Sequence, residues 1–177
     1  MSKQKYYFID DNDCQILAAG VLPYRYNKKI HDYEFLMIKY FKNNIPFYSD
    51  FGGCVDKNDI DINMTIAREA DEESNGILSQ NDVYENLYHG IFLLNLKSKY
   101  LVVLCSIKYI TKKKIKEEMF GNVEIHDNIE RTVEWISLTQ LMNNEFKNHL
   151  NFRLRFRDFF KELSEKKNKI IKKNFSF

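Results

Sequence analysis

Proline and glycine are scarce in this chain, at 2 and 6 of 177 residues. No proline-rich linker or internal repeat interrupts it, which argues against a solenoid or a string of tethered domains. A chain of 177 residues buries one good core and divides poorly into two, so a single domain over residues 1–177 is expected. Cysteine is also sparse. Cys14, Cys54 and Cys105 are odd in number, far apart and without a His or Cys at ligand spacing. That excludes a disulfide frame and a zinc site and leaves them as small apolar fillers. No basic-then-apolar leader opens the chain and its longest apolar runs are strand-sized. The expectation is therefore a soluble, intracellular, cytoplasmic protein with no membrane partner. Charge of one sign is lacking too, with a net of only +2.

What is present is a folded composition, 44% hydrophobic and 15% aromatic, and a charge distribution that separates along the chain. Carboxylates crowd between Asp56 and Glu73, while lysines gather at Lys112 to Lys116 and Lys166 to Lys173. Such basic flanks are solvated faces or a footprint for a polyanion such as RNA. Cys14 to Tyr24 and Tyr33 to Tyr40 read as strands of a hairpin across the turn-like Asn27, Lys28 and Lys29. Pro46 to Asp50, the pair Gly52-Gly53 and an aspartate-rich loop lead into a helix over Asn63 to Ser74, which Asn75 and Gly76 can end. Tyr88 to Leu96 and Tyr100 to Ile110 read as central strands joined by a short turn, and Arg131 to Leu138 as one more strand. A helical pattern runs from Leu138 to about Lys172, with Phe152, Phe156, Phe159, Phe160 and Leu163 as its core stripe. The fold class expected is an α/β/α sandwich with a mixed sheet and a long C-terminal helix.

The chemistry concentrates in Arg68-Glu69-Ala70-Asp71-Glu72-Glu73. Positions 69, 72 and 73 stand at i, i+3 and i+4, so three carboxylates share one helix face. One arginine cannot neutralise them, and a hard cation such as Mg²⁺ or Mn²⁺ suits an all-oxygen ligand set of this kind. In isolation such a string is also an ordinary solvated face. What turns it towards chemistry is the double glycine and aspartate-rich loop ahead of it, where close main-chain approach to a phosphate is useful.

Residues 52–77, GGCVDKNDIDINMTIAREADEESNGI, resemble the Nudix box, G-x5-E-x7-R-E-U-x-E-E-x-G-U with U apolar. Two departures accompany the match. Asp59 stands where the box has Glu, with one residue too many before Arg68, and Ser74-Asn75-Gly76 is one residue longer than the box ending. Asp59 or Asp61 is thus the candidate to orient Arg68. The lengthened ending also resembles the viral mRNA-decapping branch of the family. The resemblance implies a metal-dependent hydrolase in which Glu69, Glu72, Glu73 and the Gly52 carbonyl hold the ion. Arg68 would then set the carboxylates, and Glu69 or Glu72 would act as general base. It further implies a loop carboxylate ahead of the last strand, with Glu130 as candidate and Glu117 and Glu118 as alternates; Trp135 nearby reads as a core anchor.

The substrate expected from this resemblance is a nucleotide-like small molecule, a nucleoside diphosphate linked to another moiety, cut at its pyrophosphate bond. Tyr24, Tyr40, Phe47 and Tyr48 are on segments that could supply a base-stacking ring. The alternative is an mRNA-decapping enzyme acting on capped RNA, with the late lysines gripping the RNA body. A third reading, a non-catalytic binding module, would show loss of a metal glutamate, and Glu69, Glu72 and Glu73 are all present.

Overall fold

The structure, a computed structural model, describes residues 6–42 and 45–143. In chain order the elements are β1 (Phe8–Ile9), β2 (Gln15–Ile16), β3 (Ala18–Asn27), β4 (Asp32–Lys42), β5 (Ile45–Ser49), β6 (Phe51–Cys54), α1 (Ile62–Glu73) and α2 (Gln80–Asn86). There follow β7 (Ile91–Asn95), β8 (Tyr100–Ser106), α3 (Ile107–Ile110), β9 (Val123–Glu124), β10 (Ile129–Glu130), β11 (Thr132–Ser137) and α4 (Leu138–Met142). Short 3-10 turns occupy Leu87–His89 and Glu117–Phe120.

The main sheet has the order β11-β4-β3-β8-β7, with β3 and β8 parallel and the other pairs antiparallel. It is the mixed sheet expected from the sequence. β3 and β4 form the expected hairpin but pair only near its turn, Tyr24 to Asn27 against Phe35 to Asp32. Beyond that they part, and the broken strand β5–β6 takes up the vacated edges, β5 on β4 and β6 on β3. Leu22 and Pro23 fall between the two partners of β3, where a residue without an N–H disturbs a ladder least. The break between β5 and β6 is Asp50, fully buried, which accepts a hydrogen bond from the Tyr100 hydroxyl at 2.7 Å.

Alternation along β8 divides the core. Leu101, Val103 and Cys105 face α1 and α2 in one cluster, and Tyr100, Val102 and Leu104 face the other side with Leu22, Met37 and Leu141. α1 begins at Asp61, whose side chain accepts from the Met64 N–H, the usual way of satisfying an orphan amide at a helix start. It buries Ile66, Ala67 and Ala70 completely, and the two alanines let its backbone lie close to the sheet. Its end is made by Asn75 and Gly76, both left-handed at φ 54 and 74, as their chemistry predicts.

Several expectations change. The run from Tyr100 to Ile110 is not one strand: β8 stops at Ser106 and α3 follows. Ile107 and Ile110 both pack on the α1-side core, a spacing of three that a helical turn satisfies and a strand does not. β7 is an edge strand rather than a central one, and the segment expected to begin it at Tyr88 is a 3-10 turn. α2 was not anticipated, although Ser79 followed by Asp82 is a capping signature, and Ser79 does cap it. Cys105 is a buried filler whose thiol burial pushes up to about 12, but Cys54 is exposed. At the far end α4 opens with a capping box of Ser137 and Gln140. α4 ends at Met142, with Asn143 extended, and the rest of the expected C-terminal helical segment, with its phenylalanine stripe, lies outside the described residues.

Candidate functional site

The double glycine acquires its reason here. Gly52 and Gly53 pair with Gly20 and Ala19 in β3, and α1 crosses β6 so closely that a Cβ on Gly53 would fall on the Glu69 carboxylate. A Cβ on Gly52 would strike the Tyr100 hydroxyl and the Gly20 backbone. The Gly52 N–H donates directly to Glu73 Oε2. Two carboxylates of α1 therefore rest against main chain of β6, and the seat of Glu69 against Gly53 requires glycine.

Arg68 organises the rest. Its Nη1 donates to Glu69 Oε1 at 2.8 Å and to Glu72 Oε2 at 3.0 Å. Its Nε and Nη2 grip Asp59 at 3.0 and 3.1 Å, and Nη2 also reaches the Cys54 carbonyl at 2.9 Å. Between the two aspartates considered for this role the geometry selects Asp59, because Asp61 is engaged as the helix cap and by the Tyr84 hydroxyl at 2.8 Å. Asp59 is fixed in turn by the Thr65 hydroxyl and the Asp56 N–H, each at 2.8 Å. Burial pushes the Asp59 carboxyl up, but Arg68, the Asp56 amide and Thr65 outweigh it and hold it below the usual carboxylate range. Burial pulls Arg68 down and its carboxylate partners more than reverse that. In Glu69 burial wins, and its carboxyl lies above the ordinary value despite the adjacent guanidinium.

Glu69, Glu72 and Glu73 open onto a cleft of about 160 Å³. Ile38, Tyr40 and Ser49 form its sheet side, and the loop after the second 3-10 turn closes it with Glu124, His126, Asp127, Ile129 and Arg131. Of the candidate aromatic rings, Tyr40 lines the cleft and stacks on Phe47, centroids 5.7 Å apart and rings 7° from parallel. Tyr24 and Tyr48 pack with the opposite core cluster.

The structure does not bring Glu130 to these carboxylates. It is exposed, in a shallow depression with Lys39, Phe41 and Thr132. Glu117 accepts from the Trp135 N–H at 2.7 Å and Glu118 pairs with Lys116 at 3.7 Å, and neither is among the cleft-lining residues. The loop acids that do face the cleft, Glu124 and Asp127, went unnoticed in the sequence, as did His126 and Arg131. The available signal was the run VEIHDNIE at 123–130, which gathers acids and a histidine just ahead of the last strand. Trp135 packs partly buried against the main core, with the Arg25 guanidinium 3.8 Å over its ring.

The loop is built by polar side chains reaching its backbone. Asn75 donates to the carbonyls of Phe120 and Val123 at 2.9 and 2.8 Å and accepts from the Ile125 N–H at 3.0 Å. Glu124 accepts from the amides of His126 and Asp127 at 2.6 and 2.7 Å. Arg131, only 4% exposed, donates to the carbonyls of Glu73 at 2.7 Å and Phe120 at 3.0 Å, tying the loop to the end of α1. Its Nε finds no partner among the described residues.

As these side chains lie, no three His, Cys, Asp or Glu groups among the described residues converge to hold a metal ion, since Arg68 and the Gly52 amide engage the helical glutamates. The donor set itself fits a hard divalent cation. Five carboxylates line one cleft, no thiolate is present, and both arginines nearby are engaged beneath it.

The sequence matches no protein-family model and no curated protein. Among solved structures, its backbone is similar to a C. elegans Ap4A hydrolase in a binary complex, with 17% identity, a TM-score of 0.45, and 84% of this chain and 98% of that one covered. It is also similar to the NUDIX domain of Shewanella oneidensis NrtR complexed with ADP ribose, at 11% identity, TM-score 0.46, and 90% and 94% coverage. A MutT/nudix family protein from Enterococcus faecalis matches at 18% identity and TM-score 0.41, covering 77% of this chain and 47% of that one.

Proposed function

We propose that this chain is a Nudix hydrolase that uses Mg²⁺ or Mn²⁺ to cleave a phosphoanhydride bond in a nucleoside diphosphate linked to another moiety. One observation carries it. A single helix places Glu69, Glu72 and Glu73 in a cleft, where the paired glycine strand meets Glu69 and Glu73 and one arginine, itself locked by Asp59, holds Glu69 and Glu72. A solvated helix face needs none of that support.

In this reading Glu69, Glu72 and Glu73 hold the ion, with the Gly52 carbonyl beside them. The ion, when bound, polarises the phosphoryl oxygens and stabilises the leaving phosphate. Arg68 keeps the carboxylates apart and aimed. Of the two candidate bases, Glu72 has its side chain 27% exposed against 14% for Glu69, so water reaches it more readily, and we assign it the proton of the attacking water. The Tyr40 ring on the sheet side offers an apolar face for a base or sugar.

A second reading has its own support. Tyr88, exposed, lies against His89 with ring centroids 3.9 Å apart and rings tilted by 38°, and His89 stacks on Tyr109 at 4.1 Å. Lys108 lies over the Tyr109 ring and the exposed Lys112, Lys113 and Lys114 follow. Rings beside lysines suit a single-stranded nucleic acid, which would make the substrate capped RNA.

One panel separates the readings: capped RNA, free cap dinucleotide, dinucleoside polyphosphates, ADP-ribose and nucleoside triphosphates, each with Mg²⁺ or Mn²⁺ and with Glu72→Gln as control. Cleavage of small nucleotides dependent on Glu72 supports the first reading. Release of a methylated nucleoside diphosphate from capped RNA but not from free cap supports the second. Turnover that survives Glu72→Gln moves the base to Glu69, and no turnover of any member of the panel overturns both readings and leaves a binding module.

A further inference from the structure

We propose that His126 binds a phosphate of the substrate, and that Asn75, the residue by which the chain exceeds the box pattern, positions it; this rests on the hydrolase reading of the cleft. A diphosphate entering the cleft meets Glu69, Glu72, Glu73, Glu124 and Asp127, so it needs positive charge beyond a bound ion. Arg68 is engaged by Asp59, Glu69 and Glu72, and Arg131 is buried against backbone carbonyls. Among the described residues lining the cleft, His126 is the remaining basic group, and its side chain is 62% exposed. Its Nδ1 lies 3.4 Å from Asp127 Oδ1, which leaves Nε2 as the nitrogen that meets a ligand.

The construction around it is what an exposed loop histidine does not ordinarily receive. Asn75 makes three hydrogen bonds to backbone of residues 120–125, and both oxygens of Glu124 take the amides of His126 and Asp127. Asn75 can do so because its left-handed backbone, φ 54, turns its amide out of the helix axis towards the loop. Glycine keeps that conformation and loses all three bonds, so Asn75→Gly removes the clamp without straining the turn.

The test compares His126→Gln, His126→Arg, Asn75→Gly and wild type in steady-state hydrolysis and in calorimetric binding of α,β-methylene-ADP with Mg²⁺. Loss of one imidazole-to-phosphate hydrogen bond is expected to raise KM and weaken the analogue about tenfold in His126→Gln. His126→Arg should recover most of the loss, and Asn75→Gly should weaken binding in the same direction while leaving kcat within a few-fold. Equal KM and equal binding in His126→Gln, or no recovery by arginine, overturns the proposal. Should wild type hydrolyse no phosphoanhydride, the hydrolase reading falls and the binding titration still decides. Analogue bound by wild type and weakened in His126→Gln upholds His126, whereas equal binding, or none by wild type, overturns it.

Discussion

The two walls of the cleft are held by opposite means. On one side α1 is seated by apolar burial of Ile66, Ala67 and Ala70 on the sheet, and its functional carboxylates project from a rigid rod. On the other, residues 120–131 have little regular structure and are held by Asn75, Glu124 and Arg131 through hydrogen bonds to main chain. Both walls are ordered, the first by apolar burial along the length of α1 and the second by polar clamps above a single apolar root. Polar clamps give the loop wall its shape at a modest net stabilisation per bond, because each replaces a bond to water. Geometry on that side should therefore be easier to disturb without unfolding the protein.

The comparison can be broken most directly at Phe120, fully buried against Phe51 at 5.9 Å between centroids, which is the apolar root of the loop. Phe120→Ala should cost about 3–5 kcal/mol in chemical denaturation. If the cost is under about 1 kcal/mol, the loop does not depend on this anchor and the contrast between walls is sharper still.

Next in size is chemistry on the helix wall. Glu72→Gln should lower kcat on the order of 10²-fold with little change in melting temperature, since several kcal/mol of transition-state stabilisation pass through these ligands. A variant that melts early as well would mean that the carboxylate face is structural.

Arg68→Lys should lose about tenfold in activity, because an ammonium cannot span Asp59, Glu69, Glu72 and the Cys54 carbonyl together. Full activity would show that the carboxylates are set by β6 alone.

The smallest effect is on acid stability. Asp59 is held below its ordinary range in the folded state, so its contribution is present above the unfolded carboxyl value and fades as pH falls through the lowered folded one. Asp59→Asn should melt lower than wild type near neutrality, with the gap closing in acid. A gap independent of pH would assign the loss to packing. Glu69 points the other way: its raised carboxyl should make Mg²⁺ or Mn²⁺ binding weaken at a higher pH than ordinary glutamates would, which a metal titration across mildly acidic pH reads out.

Much of the helix wall was legible beforehand because its determinants are close in sequence. Asp59, Arg68, Glu69, Glu72 and Glu73 act through spacings of a few residues, which helix periodicity converts into a shared face. Even there, the choice between Asp59 and Asp61 required knowing that Asp61 caps α1. For the loop, the expected carboxylate was placed at Glu130 by distance from Trp135, whereas the chain turns through Gly121 and Asn128, both left-handed, and presents Glu124 and Asp127 instead. The one-residue excess after Glu73, which reads in sequence as a defect in the box, is in the fold the residue that clamps the opposite wall.

By itself the sequence determined the α1 carboxylate face, the β3–β4 hairpin and the stop at Asn75-Gly76, since each is a local consequence of periodicity or allowed dihedral. Tertiary structure alone decided which loop residues meet that face. The partners of Asn75 in the loop lie 45 to 50 positions away, and Arg131 reaches Glu73 across 58. Pairings at that separation are chosen by how the sheet and α1 pack, a global balance that no local pattern encodes.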